Sequence, residues 1–185
     1  MDVFKSFESF EQKFGKGLRY SSVSDETAAR LREKGLPDFY LDYVQTNGLK
    51  QFKDGFWWFV DPFSLSEDLA PFTNSKETLP IIRNAFGCFI TSVGGSYYHV
   101  NIHTKNFGLL GDELGLVFNF TLVDDYALRD MFFGQLFPEA LHRLGMVEVD
   151  QIYMFVPALA LGGEPKAENL QVGKMREHMH LLAEL

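Results

Sequence analysis

Large apolar residues recur along this chain with two periods, and the change of period marks where helices give way to strands. Phe4, Phe7, Phe10 and Phe14 are three or four apart, which predicts an amphipathic helix over Asp2–Phe14, stopped by Gly15 and Gly17. Ser24 before Asp25, Glu26 and Thr27 predicts an N-cap with acids in the first turn of a helix that runs to Gly35. Pro37 opens the next helix, with Phe39, Tyr40, Tyr43 and Val44 on its buried face and Asn47-Gly48 at its end.

The period then shortens to two. Gln51–Pro62 reads as a hairpin in which Phe52 and Lys53 lead into a two-residue Asp54-Gly55 turn, and Phe56–Val60 returns as a bulky strand. Alternation puts Phe56, Trp58 and Val60 on one face and Trp57 and Phe59 on the other, so both faces need covering. Asp61-Pro62 ends the strand, since proline has no N–H to give a ladder. A short helix is expected over Phe63–Phe72. β patterning returns at Leu79–Ile82, Phe86–Val93 and, after a Gly94-Gly95 turn, Ser96–Thr104, predicting an antiparallel meander continuous with the tryptophan hairpin. In its last strand Tyr98, Val100 and Ile102 alternate with Tyr97, His99, Asn101 and His103, the pattern of a half-buried strand.

Beyond this, Asn106–Gly115 reads as a connection and Leu116–Phe120 as a strand. Asp124 caps a helix to about Phe133, Pro138 starts another that ends at Gly145, and Met175–Leu185 forms the last helix. Ile152–Val156 is a short strand, and the apolar stretch that follows it, Pro157–Gly163, is expected to be buried, with Gly162-Gly163 serving a tight turn. The fold class is therefore α+β: an antiparallel β-meander packed against N-terminal helices, with a smaller helical C-terminal subdomain.

With 185 residues, 46% of them hydrophobic and 19 of them Phe, the chain has ample material for a core. The single Cys88 permits no internal disulfide, and the charged N-terminal stretch has neither a signal-peptide core nor a membrane span, which together suit a cytoplasmic protein. A net charge of −8 argues against direct nucleic-acid binding. Residues 1–109 hold 13 acidic and 12 basic groups, whereas residues 110–185 hold 12 acidic and 5 basic, so the charge sits in the second half. Such asymmetry can steer a basic partner at long range, and it is also what ordinary solubilising charge looks like.

Catalytic chemistry finds little support. His99 and His103 on a strand stand about 13 Å apart, too far to share one ion. His178 and His180, two apart on a helix, do not face each other. Cys88 lies in the apolar run AFGCFITSV with no base beside it. No phosphate-binding glycine loop follows a strand, and the acid pairs Glu67-Asp68, Asp112-Glu113 and Asp124-Asp125 read as caps and solvated surface. No catalytic residue, metal or cofactor is assigned, and the chain is read as a non-enzyme.

Two stretches carry a resemblance. Trp57–Pro62 with Arg83-Asn84-Ala85-Phe86-Gly87 resembles the GAD-like domain of bacterial proteins. ALHRLG at 140–145, IYMFVPALALGG at 152–163 and Glu168-Asn169-Leu170 resemble the domain that follows it in type VI secretion immunity proteins of the DNase-neutralising class. The resemblance implies a GAD-like domain over 1–109 and an immunity-type subdomain over 110–185, packed as one unit. It also implies an antitoxin that binds a cognate nuclease toxin, with no nucleic acid or membrane as partner and the oligomeric state open. A nuclease groove is basic because it attracts phosphate, so an acidic binder can occupy it. Asp112, Glu113, Asp124, Asp125, Asp130, Glu148, Asp150 and Glu164 form the pool from which contacts are expected. The alternative is a regulatory scaffold similar to the cell-wall-assembly regulator domains, to which LPDFYLDYVQTNG bears a likeness. A hydrolase acting through the carboxylates or histidines is disfavoured.

Overall fold

The computed structural model describes residues 2–185. Its frame is a seven-stranded antiparallel sheet in which every strand pairs with its chain neighbour: β1 (Leu18–Ser21), β2 (Leu49–Phe52), β3 (Trp57–Phe59), β4 (Leu79–Asn84), β5 (Cys88–Val93), β6 (Ser96–Asn101) and β7 (Asn106–Gly111). The meander and its union with the tryptophan hairpin are as the alternation predicts. The hairpin turn is longer than expected. Pairing closes at Phe52↔Trp57, and Lys53, Asp54 and Gly55 all take positive φ, so Phe56 belongs to the turn and joins the Trp57 side of the core. Gln51 Oε1 accepts from the Gly55 N–H at 2.7 Å, which satisfies a donor such a turn would otherwise bury unpaired.

Helices cover both faces of the sheet. Over the Trp57 face lie α1 (Glu8–Phe14), α2 (Asp25–Glu33), α3 (Asp38–Asn47) and the Leu114–Thr121 segment, so that Phe10, Phe14, Phe56 and Phe132 all surround the Trp57 ring. Each such ring removes roughly 150–250 Å² from water, which makes this the largest hydrophobic contribution in the molecule. The opposite face carries Phe89, Val100, Ile102 and Val60 under α4 (Ser66–Thr73) and the C-terminal helix Met175–Glu184.

Five expectations are corrected. The N-terminal segment is not one helix but a 3₁₀ turn, Val3–Lys5, followed by α1. Asn119 breaks it: its amide donates to the Val3 and Ser6 carbonyls at 3.0 and 2.8 Å and accepts from Ser9 N–H at 2.8 Å, taking groups a continuous helix would use. Leu116–Phe120 is helical, as α5 (Leu114–Leu116) running into a π turn at Val117–Thr121. Leu114, Val117, Phe118 and Leu122 are buried while Phe120 is exposed, a helical period masked by uniformly apolar residues. Asn106–Gly111, read as a connection, is the edge strand β7, and β1 was not foreseen because its four residues are all exposed. The polar side of β6 is not wet: His99, Asn101 and His103 are 3%, 5% and 1% exposed beneath the Phe132–Phe133 loop and the last helix.

The fifth correction concerns Pro157–Gly163. The C-terminal half continues through α6 (Asp125–Asp130), α7 (Phe137–Leu144), a hairpin of β8 (Gln151–Phe155) with β9 (Leu170–Lys174), and α8 (Met175–Glu184). Between β8 and β9 the FVPALALGG run comes to the surface, with Val156 41% and Leu161 66% exposed and only Phe155 and Ala158 buried. A 3₁₀ turn at Leu159–Leu161 ends on Gly162 in the left-handed region. A Cβ on Gly163 would lie 2.0 Å from the Pro157 carbonyl oxygen, so the two glycines do close a tight turn, but one that presents apolar side chains outward.

Candidate functional site

The Arg83–Gly87 stretch, at the end of β4 and the β4–β5 turn, is where the two halves of the chain meet. Arg83 is fully buried; its Nη2 donates to the Val149 carbonyl at 2.8 Å and its Nη1 to the Asn84 carbonyl at 3.0 Å, while the guanidinium lies 5.1 Å over the Trp58 ring. Burial lowers its pKa to about 10, so it stays charged at neutral pH, and the field of Asp150 helps hold it so. Asn84 Oδ1 accepts from the Phe86 and Cys88 N–H groups at 3.0 and 2.9 Å, and its amide donates to the Phe132 carbonyl at 2.7 Å. Ala85 accepts from Tyr153 N–H at 2.8 Å, and Phe86 accepts from His103 Nε2 at 2.6 Å.

This joint positions a surface. By holding the 148–149 backbone, Arg83 sets Val149 and Asp150 on the rim of a cleft also lined by Tyr20, Val60, Asp61, Lys174 and Arg176. Tyr20 packs edge-on against Trp58 at 5.4 Å and donates to the Phe59 carbonyl, fixing the opposite wall. Tyr20 and Val149 are exposed apolar groups within a charged rim.

All eight acids of the expected pool are exposed. They do not form one cluster of free charge. Asp124 caps α6 by accepting from Ala127 N–H at 2.8 Å. Asp125 pairs with Lys13, Asp130 with Arg129 at 2.8 Å, Asp150 with Lys174 and Glu164 with Lys166 at 2.7 Å. Asp112 accepts from the Ser96 hydroxyl at 2.6 Å. Among the described residues Asp112, Glu113, Asp124 and Glu148 have no cationic partner, and of these Asp124 is engaged as the α6 cap. The structure brings Glu148 and Asp150 together beside the cleft, and leaves Asp112 and Glu113 at the end of β7 and Glu164 beside the Leu161 loop.

The buried thiol and imidazoles are held in their neutral forms. Burial pushes the Cys88 thiol up, away from the thiolate form a nucleophile needs. His103 is lowered to about 3 by burial, reinforced by His178, whose ring is 5.4 Å away, and His99 to about 4 by burial, so all three imidazoles face the core uncharged at neutral pH. His180 is exposed and pairs at 2.8 Å with Asp68, tying α8 to α4. Among the described residues no three His, Cys, Asp or Glu side chains gather as a metal site requires, and no helix is long and apolar enough to cross a membrane.

Sequence reasoning missed Tyr20, Arg83 and Val149 as parts of the site. The one available signal was Arg83 itself, a cation inside the apolar run LPIIRNAF, which must be paired if it is buried. Val149 and Tyr20 gave none, because a lone exposed apolar residue is ordinary surface.

Comparison with known proteins bears on both halves. Residues 5–105 match the GAD-like domain family, and residues 117–185 match the family described as T6SS immunity protein Tdi1, C-terminal. Among solved structures the chain is similar to the crystal structure of Atu4351 from Agrobacterium tumefaciens, with a TM-score of 0.82 at 20% identity, covering 97% of this chain and 89% of that one. At that identity the likeness speaks for the fold alone. No curated protein matches the sequence.

Proposed function

From a chain that belongs to the GAD-like family and carries the Tdi1-type immunity C-terminal domain, we propose an antitoxin that neutralises a type VI secretion nuclease toxin through its acidic surface. The observation that carries this reading is that the immunity match, residues 117–185, falls in the acid-rich half of the chain. A nuclease must present cations to phosphate, and a protein that offers carboxylates to those cations competes with the nucleic acid and is drawn in at long range.

The contact set is drawn from Asp112, Glu113, Asp124, Asp125, Asp130, Glu148, Asp150 and Glu164, with Glu148 and Asp150 beside the apolar Val149 and Tyr20 of the cleft, Glu164 beside Leu161 on its loop, and Asp112 and Glu113 at the far edge of the sheet. Glu148 and the Asp112-Glu113 pair lead, since among the described residues no cation forms an ion pair with them. The paired acids remain available, because an exposed ion pair is worth only about 0–1 kcal/mol and can be exchanged for a partner's lysine or arginine.

The test is co-expression with the nuclease encoded beside this gene, followed by stopped-flow association of the purified pair. Rescue of growth and tight binding are expected, with the on-rate falling about tenfold or more and losing most of its salt dependence in the variant Asp112→Lys/Glu113→Lys/Glu148→Lys. Absence of rescue and binding overturns the immunity reading. Rescue with an unchanged on-rate leaves immunity standing and removes the acidic surface from the mechanism.

A further inference from the structure

The meander leaves two sheet edges, and the chain treats them differently. An open edge is a template for another strand, and proteins blunt such edges with short length, bulges and charged side chains. β1 has all three: four residues, a register shift between Arg19 and Ser21, and Arg19 within the strand with Lys16 just before it. β7 is six residues, NFGLLG, with no charge and no proline. Among the described residues the backbone of Phe107–Leu110 has no partner outside the β6 ladder. Leu109 stands out from it 63% exposed.

Charge sits only at the two ends of β7, and with opposite sign: Lys105 precedes it, and Asp112 and Glu113 follow it. Lys105 and Glu113 have no ion-pair partner among the described residues. Two identical strands that pair antiparallel about a two-fold axis must place one residue opposite itself, so that each end of one meets the opposite end of the other. Centred on Leu109, this pairing sets Leu109 against its own copy and brings each Lys105 to the Asp112-Glu113 end of the second strand. With Leu110 bulged out, Leu114 comes directly opposite Lys105 and Asp112 lies diagonally across on the same face, within reach of the long lysine side chain.

We infer that β7 is a self-complementary edge through which two copies of this chain join their sheets. The inference rests on the edge and its charges, and does not depend on the immunity reading. A strand-edge contact is small, so the dimer is weak, forming in the micromolar range.

Analytical ultracentrifugation of the full chain alone, from about 1 µM to about 300 µM, is the test. The sedimentation coefficient is expected to rise from monomer to dimer over that range. Leu109→Lys, an edge lysine on an exposed site, is expected to abolish the rise. Lys105→Glu and the double variant Asp112→Lys/Glu113→Lys are each expected to weaken dimerisation about tenfold, because the symmetric contact is broken twice, and their combination to restore it. Circular dichroism melts confirm that each variant is folded. A chain that stays monomeric throughout overturns the inference, even if β7 variants lose toxin binding, in which case the edge serves the toxin. A dimer indifferent to Leu109→Lys and to both charge reversals also overturns it, placing the contact elsewhere.

Discussion

Asn84→Ala is expected to destabilise the protein by about 4 kcal/mol, far more than a polar-to-alanine change on a surface. Asn84 is fully buried, and its side chain satisfies three backbone groups: the N–H of Phe86, the N–H of Cys88 and the carbonyl of Phe132. Removing it leaves all three without a partner in a region closed to water, and each such group costs about 1–3 kcal/mol. A value in the lower part of that range, about 1.3 kcal/mol per group, applies because the Phe132 loop can relax, which gives about 4 kcal/mol in total and, for a chain of this length, a fall in Tm of about 8–16 °C. Asn119→Ala is the matched comparison. Asn119 also serves three backbone groups, those of Val3, Ser6 and Ser9, but they lie in a half-buried N-terminal segment where water can replace it, so about 1–2 kcal/mol is expected. Urea unfolding at fixed m-value measures both. Equal costs for the two variants, or a cost below about 1.5 kcal/mol for Asn84→Ala, would show that the β4–β5 turn is not the joint described above.

Trp57→Phe and Trp58→Phe leave similar voids, yet Trp58→Phe is expected to cost about 1–2 kcal/mol more in the same assay. Only the Trp58 indole donates a hydrogen bond, to Gly55 at 2.7 Å, and lies beneath the Arg83 guanidinium, while Trp57 Nε1 has no partner; a larger loss for Trp57→Phe would contradict this. Gly163→Ala drives a methyl group against the Pro157 carbonyl oxygen and is expected to lower stability by about 1–3 kcal/mol and to weaken toxin binding through the displaced Leu161 loop, read by thermal melts and calorimetry. Acid should destabilise the fold well before the carboxylates titrate. His103 and His99 are lowered to about 3 and about 4 from 6.5, so the unfolded chain binds more protons between those values. Their contribution is complete above pH 6.5 and is lost as pH falls toward 4 and below, at up to about 1.4 kcal/mol per pH unit for each group. The double variant His99→Gln/His103→Gln should flatten unfolding free energy between pH 6.5 and 5, and an unchanged slope would remove these histidines from the account.

What was legible in the sequence depended on contrast. The helices at Asp25 and Asp38 were readable from their apolar period and the bounds Ser24 and Pro37, and the meander from Trp57 to Asn101 from runs of aromatic and β-branched residues bounded by turn residues such as Gly94-Gly95. Where apolar residues run together, period vanishes. Leu114–Leu122 is apolar enough to pass for a strand, and only the burial of Leu114, Val117, Phe118 and Leu122 reveals a helix. FVPALALGG fails in the opposite direction: hydrophobicity argued for burial, but the steric demand of Gly163 and the hairpin geometry of β8–β9 turn it outward. The acids of the proposed contact set were visible as composition, and the ion pairs of Asp125 and Asp150 were not, because their partners Lys13 and Lys174 lie 112 and 24 residues away, whereas Asp130 and Glu164 have theirs, Arg129 and Lys166, close by in sequence.

The two family matches divide the chain between residues 105 and 117, yet the principal core draws Phe10, Trp57 and Ile90 from one side of that division and Phe118, Phe132, Tyr153 and Leu170 from the other. The reason lies in Arg83-Asn84-Ala85-Phe86-Gly87. Each of the first three residues spends a polar group on the C-terminal half, through Val149, Phe132 and Tyr153, while Phe86 places its ring against Phe133, Tyr153 and Phe155. Gly87, at φ +76, lets the turn close where a Cβ would strike Ile102 at 2.7 Å. A buried cation and a buried amide are tolerable in a core when their hydrogen bonds are met, and these contacts meet all of them but that of Arg83 Nε, which has no partner among the described residues. The GAD-like sheet therefore depends on the C-terminal half for satisfaction of its own turn, and the same contacts that stabilise it set Glu148, Val149 and Asp150 at the surface where a partner can meet them.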